Sequence, residues 1–328
     1  MNRVRFAVFV SKPAQRGAGV RTRRLRRGGC HSVVCYRLLV PDGGEILKQF
    51  RFRFGIMPPS DTTSEPRTLT TVLNAIDILR ALMHLDSAGV TELANHLGES
   101  KSTTYTYLKS LEKGGLVTQI DNDYRLSYDM LIFGEYVRNQ SSLYTIGRDE
   151  IDSIATETGQ YAHLVVEKNG RGHNLYKSKG EQAVGDDYQM AKFQQRDYLH
   201  ITASGKAILA YLPRERVEEI VDQHGLPART ERTITSKERL FEELADIREQ
   251  GYSQNDEEEI EGFQAIGAPI RSREGAVLGS ISVSGPKSMF GSESEYQKIV
   301  DLVVKTANVV EVNVNMSKRS SEIIQDTN

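Results

Sequence analysis

The sequence predicts an α+β chain in which a small helical module closed by a hairpin precedes a larger mixed domain. Three observations carry this. Apolar residues recur at helical spacing in three successive segments between 71 and 113. Two short strand-like runs follow around Asp121-Asn122-Asp123. From 144 onward, alternating runs closed by glycine turns are interspersed with amphipathic stretches.

The bulk numbers set the frame. A chain of 328 residues has room for two domains. With 38% hydrophobic and 26% charged residues, and no apolar run long enough to span a bilayer, it reads as soluble, with no membrane partner. Cys30 and Cys35 are the only cysteines, so no disulfide framework exists and neither globular part has a thiolate. A reducing cytoplasm is the expected location.

Charge divides the chain. Residues 1–56 carry thirteen Lys and Arg against Asp42 and Glu45, a net of +11, which leaves −13 for the rest. The segment "QRGAGVRTRRLRRGGCHSVVCYRLLV" lacks periodicity of any length, so 1–56 is expected to be unstructured: sequence upstream of a start at Met57, or else an arm that grips phosphates. The acidic remainder suits a high-salt cytoplasm.

The first module is expected over 57–127. "TVLNAIDILRALMHL" places Val72, Ile76, Leu79 and Met83 on one helical face, and Asp86 to Gly89 ends that helix. "VTELANHL" gives a second helix with Leu93 and Leu97 on one side and Gly98 at its C′ position. Ser100 caps a third helix that runs to Lys113, where Gly114 and Gly115 stop it. Thr104, Leu108 and Leu111 share its inner face, leaving Ser102, Thr106, Lys109 and Lys113 outward with Tyr105 at the margin.

Short hydroxyls and lysines on an outward helix suit a major groove, and the hairpin "LVTQIDNDYRLS" after it completes the order of a winged helix-turn-helix. The residues expected at double-stranded DNA are Lys101, Ser102, Thr103, Tyr105, Thr106, Lys109, Lys113 and Asn122. Residues 57–140 carry seven basic and eleven acidic side chains, so few phosphates can be neutralised per subunit. A shallow salt dependence and dimeric binding follow. The alternative is a winged-helix module that binds protein instead.

Four stretches resemble the isocitrate lyase regulator (IclR) family of prokaryotic transcription regulators. They are "TELANHLGESKSTTYTYLKSLEKGGLV", "YLHITASGKAILAYL", "GYSQNDEEEIEGFQAIGAPI" and "GSISVSGP", in family order across roughly 68–316. The resemblance implies a winged helix, a linker helix and a GAF-like α/β effector-binding domain, acting as a homodimer or tetramer. The family often has a basic residue where Thr106 stands.

Beyond the wing, Leu131, Gly134 and Val137 are spaced for a linker helix over 128–143, and the effector-binding domain is expected over 144–316. "DEIDSIATETG" is a helix ended by Gly159, and "YAHLVVEKNG" and "HNLYKSKG" are strands. In "LHITASGKAILAYL" an alternating strand enters a small-residue helix capped by Thr202. The N–H groups of Ala203, Ser204 and Gly205 could therefore receive a carboxylate. The Gly205-Lys206 pair is not a phosphate loop, since its frame is absent.

Ser236 caps a helix that buries Leu240, Leu244 and Ile247, and Gly251 ends it. Two strands follow, "FQAIGAPIR" and "AVLGSISVSG", the second with Ser280, Ser282 and Ser284 on one face. Three hydroxyls on one strand face are rarely core; solvent is one place for them, and the resemblance implies another, an effector pocket lined by Thr202, Ala203, Asn255, Ala265, Ser282 and Ser284. Neutral donors and acceptors at a helix N-terminus suit a small organic acid.

A metal site made from Asp256 to Glu259 with His163, His173 and His200 is a minor alternative, because no ligand-spaced pair exists and acid runs are usually solvated. No cofactor is expected. No enzyme is expected either: there is no G-x-S-x-G, and no His and acid partners for Ser204 can be assembled. A final helix from "SEYQKIVDLVVKTANVVEVNV" leads into a polar tail over 317–328 expected to be disordered.

Overall fold

The computed structural model describes residues 37–39, 45–47, 68–185 and 197–326. Most of the basic segment, including its proposed phosphate-gripping run, lies outside the described residues. Where it is described it is not unstructured: β1 (Arg37–Leu39) pairs antiparallel with β2 (Glu45–Leu47).

From Thr70 the chain forms a second unit. Helices α1 (Thr70–Leu85), α2 (Val90–Leu97) and α3 (Lys101–Lys113) enclose a small core with the wing strands β4 (Val117–Ile120) and β5 (Asp123–Leu126). The wing turns on Asp121-Asn122, and Asp121 takes the left-handed conformation that Asp tolerates. The stretch after α1 is more than a break, since Ala88–Gly89 forms a third strand, β3, on β5.

The face assigned to α1 is corrected. Ile78, Ala81 and Leu82 fill the core, while Val72, Ile76 and Met83 are exposed and Leu79 is partly buried. The helix is apolar on two sides, so periodicity alone does not select the buried one. Helix α4 (Asp129–Asn139) buries none of its residues: Leu131, Ile132, Phe133, Tyr136 and Val137 are all at least 60% exposed.

Helix α5 (Ser142–Thr158) ends at Gly159 in the left-handed region. Strands β6 (Tyr161–Lys168), β7 (Arg171–Lys179), β8 (Asp197–Tyr198), β9 (Ser253–Asp256), β10 (Phe263–Arg271) and β11 (Val277–Pro286) make one antiparallel sheet, ordered β8-β7-β6-β11-β10-β9. One sheet face presents Ala162, Leu164, Ile266, Ala268, Ile281 and Val283 to α5 and to α9 (Glu293–Asp326). The other carries α6 (Ala203–Tyr211), α7 (Arg214–His224) and α8 (Lys237–Gln250), joined by a second core around Ile208, Leu209, Leu240 and Leu244.

Two expectations fail here. The stretch before Thr202 is the short pair β8 followed by a 3-10 turn over Leu199–Ile201, not an extended strand. The polar tail is not disordered through its length, because α9 persists to Asp326. Among the described residues no helix is long and apolar enough to cross a membrane.

Candidate functional site

The first site is the outer face of α3. Thr104, Leu108 and Leu111 are buried, which fixes the rotation of the helix and turns Lys101, Ser102, Tyr105, Thr106 and Lys113 outward. Thr103 and Lys109 are half-buried, and Asn122 is exposed at the tip of the wing. Several hydroxyls are already engaged along the helix. Ser100 Oγ accepts the Thr103 N–H at 3.1 Å and lies 2.8 Å from Thr103 Oγ1, and Thr106 Oγ1 donates to the Ser102 carbonyl at 2.9 Å. Each keeps lone pairs for a further donor.

Lys109 is the most connected of these side chains. Its Nζ donates to Glu112 at 2.7 Å and to Gln119 Oε1 on β4 at 3.0 Å, and it lies 5.7 Å from the Tyr124 ring centroid. The hydrogen bond to Glu112 raises its pKa, so it remains a cation. Lys101 and Lys113 form no ion pair among the described residues.

The second site lies under the N-terminus of α6. Thr202 caps the helix by accepting the Gly205 N–H at 2.9 Å, which removes that donor from the three expected for a ligand and leaves those of Ala203 and Ser204. The helix sits very close to the sheet. A Cβ on Gly205 would stand 2.1 Å from the Leu199 carbonyl oxygen, and one on Gly267 would stand 2.8 Å from Ala203 backbone atoms. Glycine is required at both positions by proximity.

Beneath this turn is a small cavity of about 20 Å³. Thr202, Ala203, Ala265, Ser282 and Ser284 line it together, as the sequence reading grouped them. Asn255 does not. Its side chain is buried behind the wall, donating to the Ile201 carbonyl and accepting the Glu258 N–H at 3.0 Å. The serine face points inward, with Ser280 Oγ donating to the Ser204 carbonyl at 2.9 Å and Ser282 Oγ 2.6 Å from Ser204 Oγ. A helix laid across a strand covers hydroxyls that alternation alone would leave wet.

Sequence reasoning missed four polar lining residues. His163 Nε2 lies 3.0 Å from Ser284 Oγ, and Asn174, Asp197 and Glu259 complete the wall. His163 stands opposite Ser282 in the β6–β11 pairing and so shares the serine face, whereas Asn174 depends on a bulge that no sequence signal announces.

The acid run is not solvated. Asp256 pairs with Arg232 and Lys287, Glu257 with Lys287, and Glu258 with the buried Lys206 at 2.6 Å. Thr230 and Thr233 donate to the Glu257 and Glu258 carbonyls at 2.7 and 2.6 Å. His200 is desolvated and bonded to the Pro227 carbonyl at 3.2 Å; burial drives its pKa from 6.5 down to about 4. No cluster of three or more His, Cys, Asp or Glu among the described residues is arranged to hold a metal ion.

The family model of the IclR helix-turn-helix domain matches residues 71–121, and that of the bacterial transcriptional regulator IclR C-terminal domain matches residues 137–312. A relative from Halobacterium salinarum, named a probable HTH-type transcriptional regulator ArcR, is 39% identical over 258 residues, 78% of this chain and 98% of its own. The crystal structure of Thermotoga maritima IclR is similar at a TM-score of 0.62 and 27% identity, over 76% of this chain and 100% of that one. An IclR homolog from Microbacterium hydrocarbonoxydans, complexed with 4-hydroxybenzoate, shares the fold at a TM-score of 0.63 and 19% identity, over 75% and 98% of the two chains.

Proposed function

The chain belongs to the IclR family of transcriptional regulators, and from that premise we propose that it binds its operator through α3 and answers to a small organic acid held at the N-terminus of α6. The observation that carries the DNA half is the outward face of α3, where Lys101, Ser102, Tyr105, Thr106 and Lys113 stand clear of the core. Side chains of this length reach base edges and phosphates once the helix enters a major groove. Asn122 on the wing reaches the adjacent backbone.

A single subunit offers few cations, so operator affinity requires two. The bare apolar face of α4, continued in kind by the exposed Val72, Ile76 and Met83 of α1, supports a homodimer in which a second copy covers these surfaces.

For the ligand half, Thr202, Ala203, Ala265, Ser282 and Ser284 frame a site where first-turn N–H groups and the helix dipole favour an anion. The solved relative of the same fold holds 4-hydroxybenzoate, a small acid. As it stands the cavity has room for about one water-sized group, so an acid must widen it. That gives liganded and unliganded states a structural difference to couple to DNA affinity.

The test is a gel shift with the DNA upstream of the protein's own gene, repeated with metabolic acids. A specific shift lost on Thr106→Ala with Lys109→Ala, fold intact, supports the α3 assignment; a retained specific shift removes it. Acids that leave both the shift and a calorimetric titration silent remove the sensing half.

A further inference from the structure

The β6–β7 pairing contains a register slip. Leu164 faces Tyr176 while Val165 faces Asn174, so Leu175 is the extra residue of a bulge. Without it, Asn174 and Tyr176 would share a sheet face. With it, Tyr176 turns to α5, where its hydroxyl donates to Asp152 at 3.0 Å, and Asn174 turns to the opposite face, into the cavity under α6.

Asn174 lines that cavity, and its Oδ1 is fully buried with no hydrogen-bond partner. The hydroxyls around it are paired among themselves: Ser204 with Ser282, and Ser284 with His163. Val165 and Gly172 give the wall its apolar part, and Asp197 and Glu259 also line it. A buried amide oxygen without a partner is unfavourable, and a ligand group that satisfies it gains affinity selectively. An amide presents an acceptor and a donor side by side, the pairing that a hydroxyl, which both donates and accepts, completes.

We propose that Asn174 reads a hydroxyl on the effector, so that the ligand of this chain is a hydroxylated carboxylic acid and not a plain one. This rests on the reading that the α6 N-terminus receives the carboxylate, and it adds the second point of attachment. Sites built to hydrogen-bond a hydroxyl discriminate strongly against the analogue that lacks it.

The experiment is calorimetric titration of the full-length protein with matched pairs, benzoate against 4-hydroxybenzoate and propionate against lactate, for the wild type and for Asn174→Leu. The hydroxylated member of at least one pair should bind about tenfold or more tightly. Asn174→Leu should erase the difference while leaving the plain acid within about twofold. Asn174→Ala, with its melting curve, serves if the leucine variant does not fold. Equal affinities within both pairs, or a preference that survives in the variants, overturn the Asn174 assignment alone. Silence with all four acids, with DNA binding intact, overturns the acid-sensing reading beneath it.

Discussion

Lys109 Nζ on α3 donates to Gln119 Oε1 on β4 at 3.0 Å, so this cation ties α3 to the base of the wing. Gln119 in turn donates to the Asp121 carbonyl at 3.2 Å, which extends the tie to the turn. Lys109→Ala should therefore weaken operator binding and reduce the salt slope by about one unit, the signature of a lost phosphate contact. Gln119→Ala should leave the slope unchanged, since the ammonium stays in place on Glu112. Fluorescence anisotropy across a series of KCl concentrations reads both; an unchanged slope in Lys109→Ala would place this lysine off the DNA.

Phe133 is 60% exposed on a helix with no buried residue, an arrangement an isolated subunit has no reason to keep. Phe133→Asp puts a charge on the face that a second copy is proposed to cover. The variant should sediment as a monomer at micromolar concentration and lose most operator affinity, while the α6 cavity still binds acid. A dimer unaffected by Phe133→Asp and by Leu131→Asp would mean that the subunits meet elsewhere.

Local signals in the sequence translated well into the fold. Ser100, Thr202 and Ser236 each cap the helix assigned to them, and Gly98, Gly159 and Gly251 end theirs in left-handed conformations. Five of the six expected pocket residues meet in one cavity, although their chain positions span more than eighty residues. What escaped depends on long-range packing. Periodicity does not select the buried face of α1 because both its sides are apolar, and the acid run differs from a solvated one because Lys206, Arg232 and Lys287 reach it from distant segments. Asn255 is absent from the cavity and Asn174 present in it for the same reason. A backbone contact at Ile201 holds the first out of the cavity, and a one-residue bulge turns the second into it.

His200, in the turn just before Thr202, bears on acid stability. Burial lowers its pKa from 6.5 to about 4, so folding favours the neutral ring. A depressed folded pKa contributes stability that is present above the unfolded value and is lost as pH falls through the folded one. The loss should run from about pH 6.5 to pH 4 and amount to roughly 3 kcal/mol at most. His200→Gln can keep a donor for the Pro227 carbonyl and removes the titration. Urea unfolding across this window should be flatter in the variant than in the wild type; parallel curves would assign the acid sensitivity to other groups.

Lys206 is 1% exposed and holds two carboxylates at 2.6 Å, Glu243 from α8 and Glu258 from the loop after β9. The two are not equivalent. Glu243 is partly exposed and can be solvated if released, whereas Glu258 is buried with its Oε2 unpartnered, and burial pushes its carboxyl above the ordinary glutamate value of 4.5 despite the lysine. A raised folded pKa means that stability from this group is present below the ordinary value and lost as pH rises through the folded one. Lys206→Met leaves Glu258 as an uncompensated buried charge and should cost about 3–5 kcal/mol by urea unfolding at neutral pH. Glu258→Gln removes the charge that needs the lysine, leaves Glu243 paired, and should cost far less. The double variant should recover part of the Lys206→Met loss, because the stranded carboxylate is gone. A double variant as unstable as Lys206→Met alone would mean that the lysine's aliphatic stem, and not its charge, is what holds the loop beside α6.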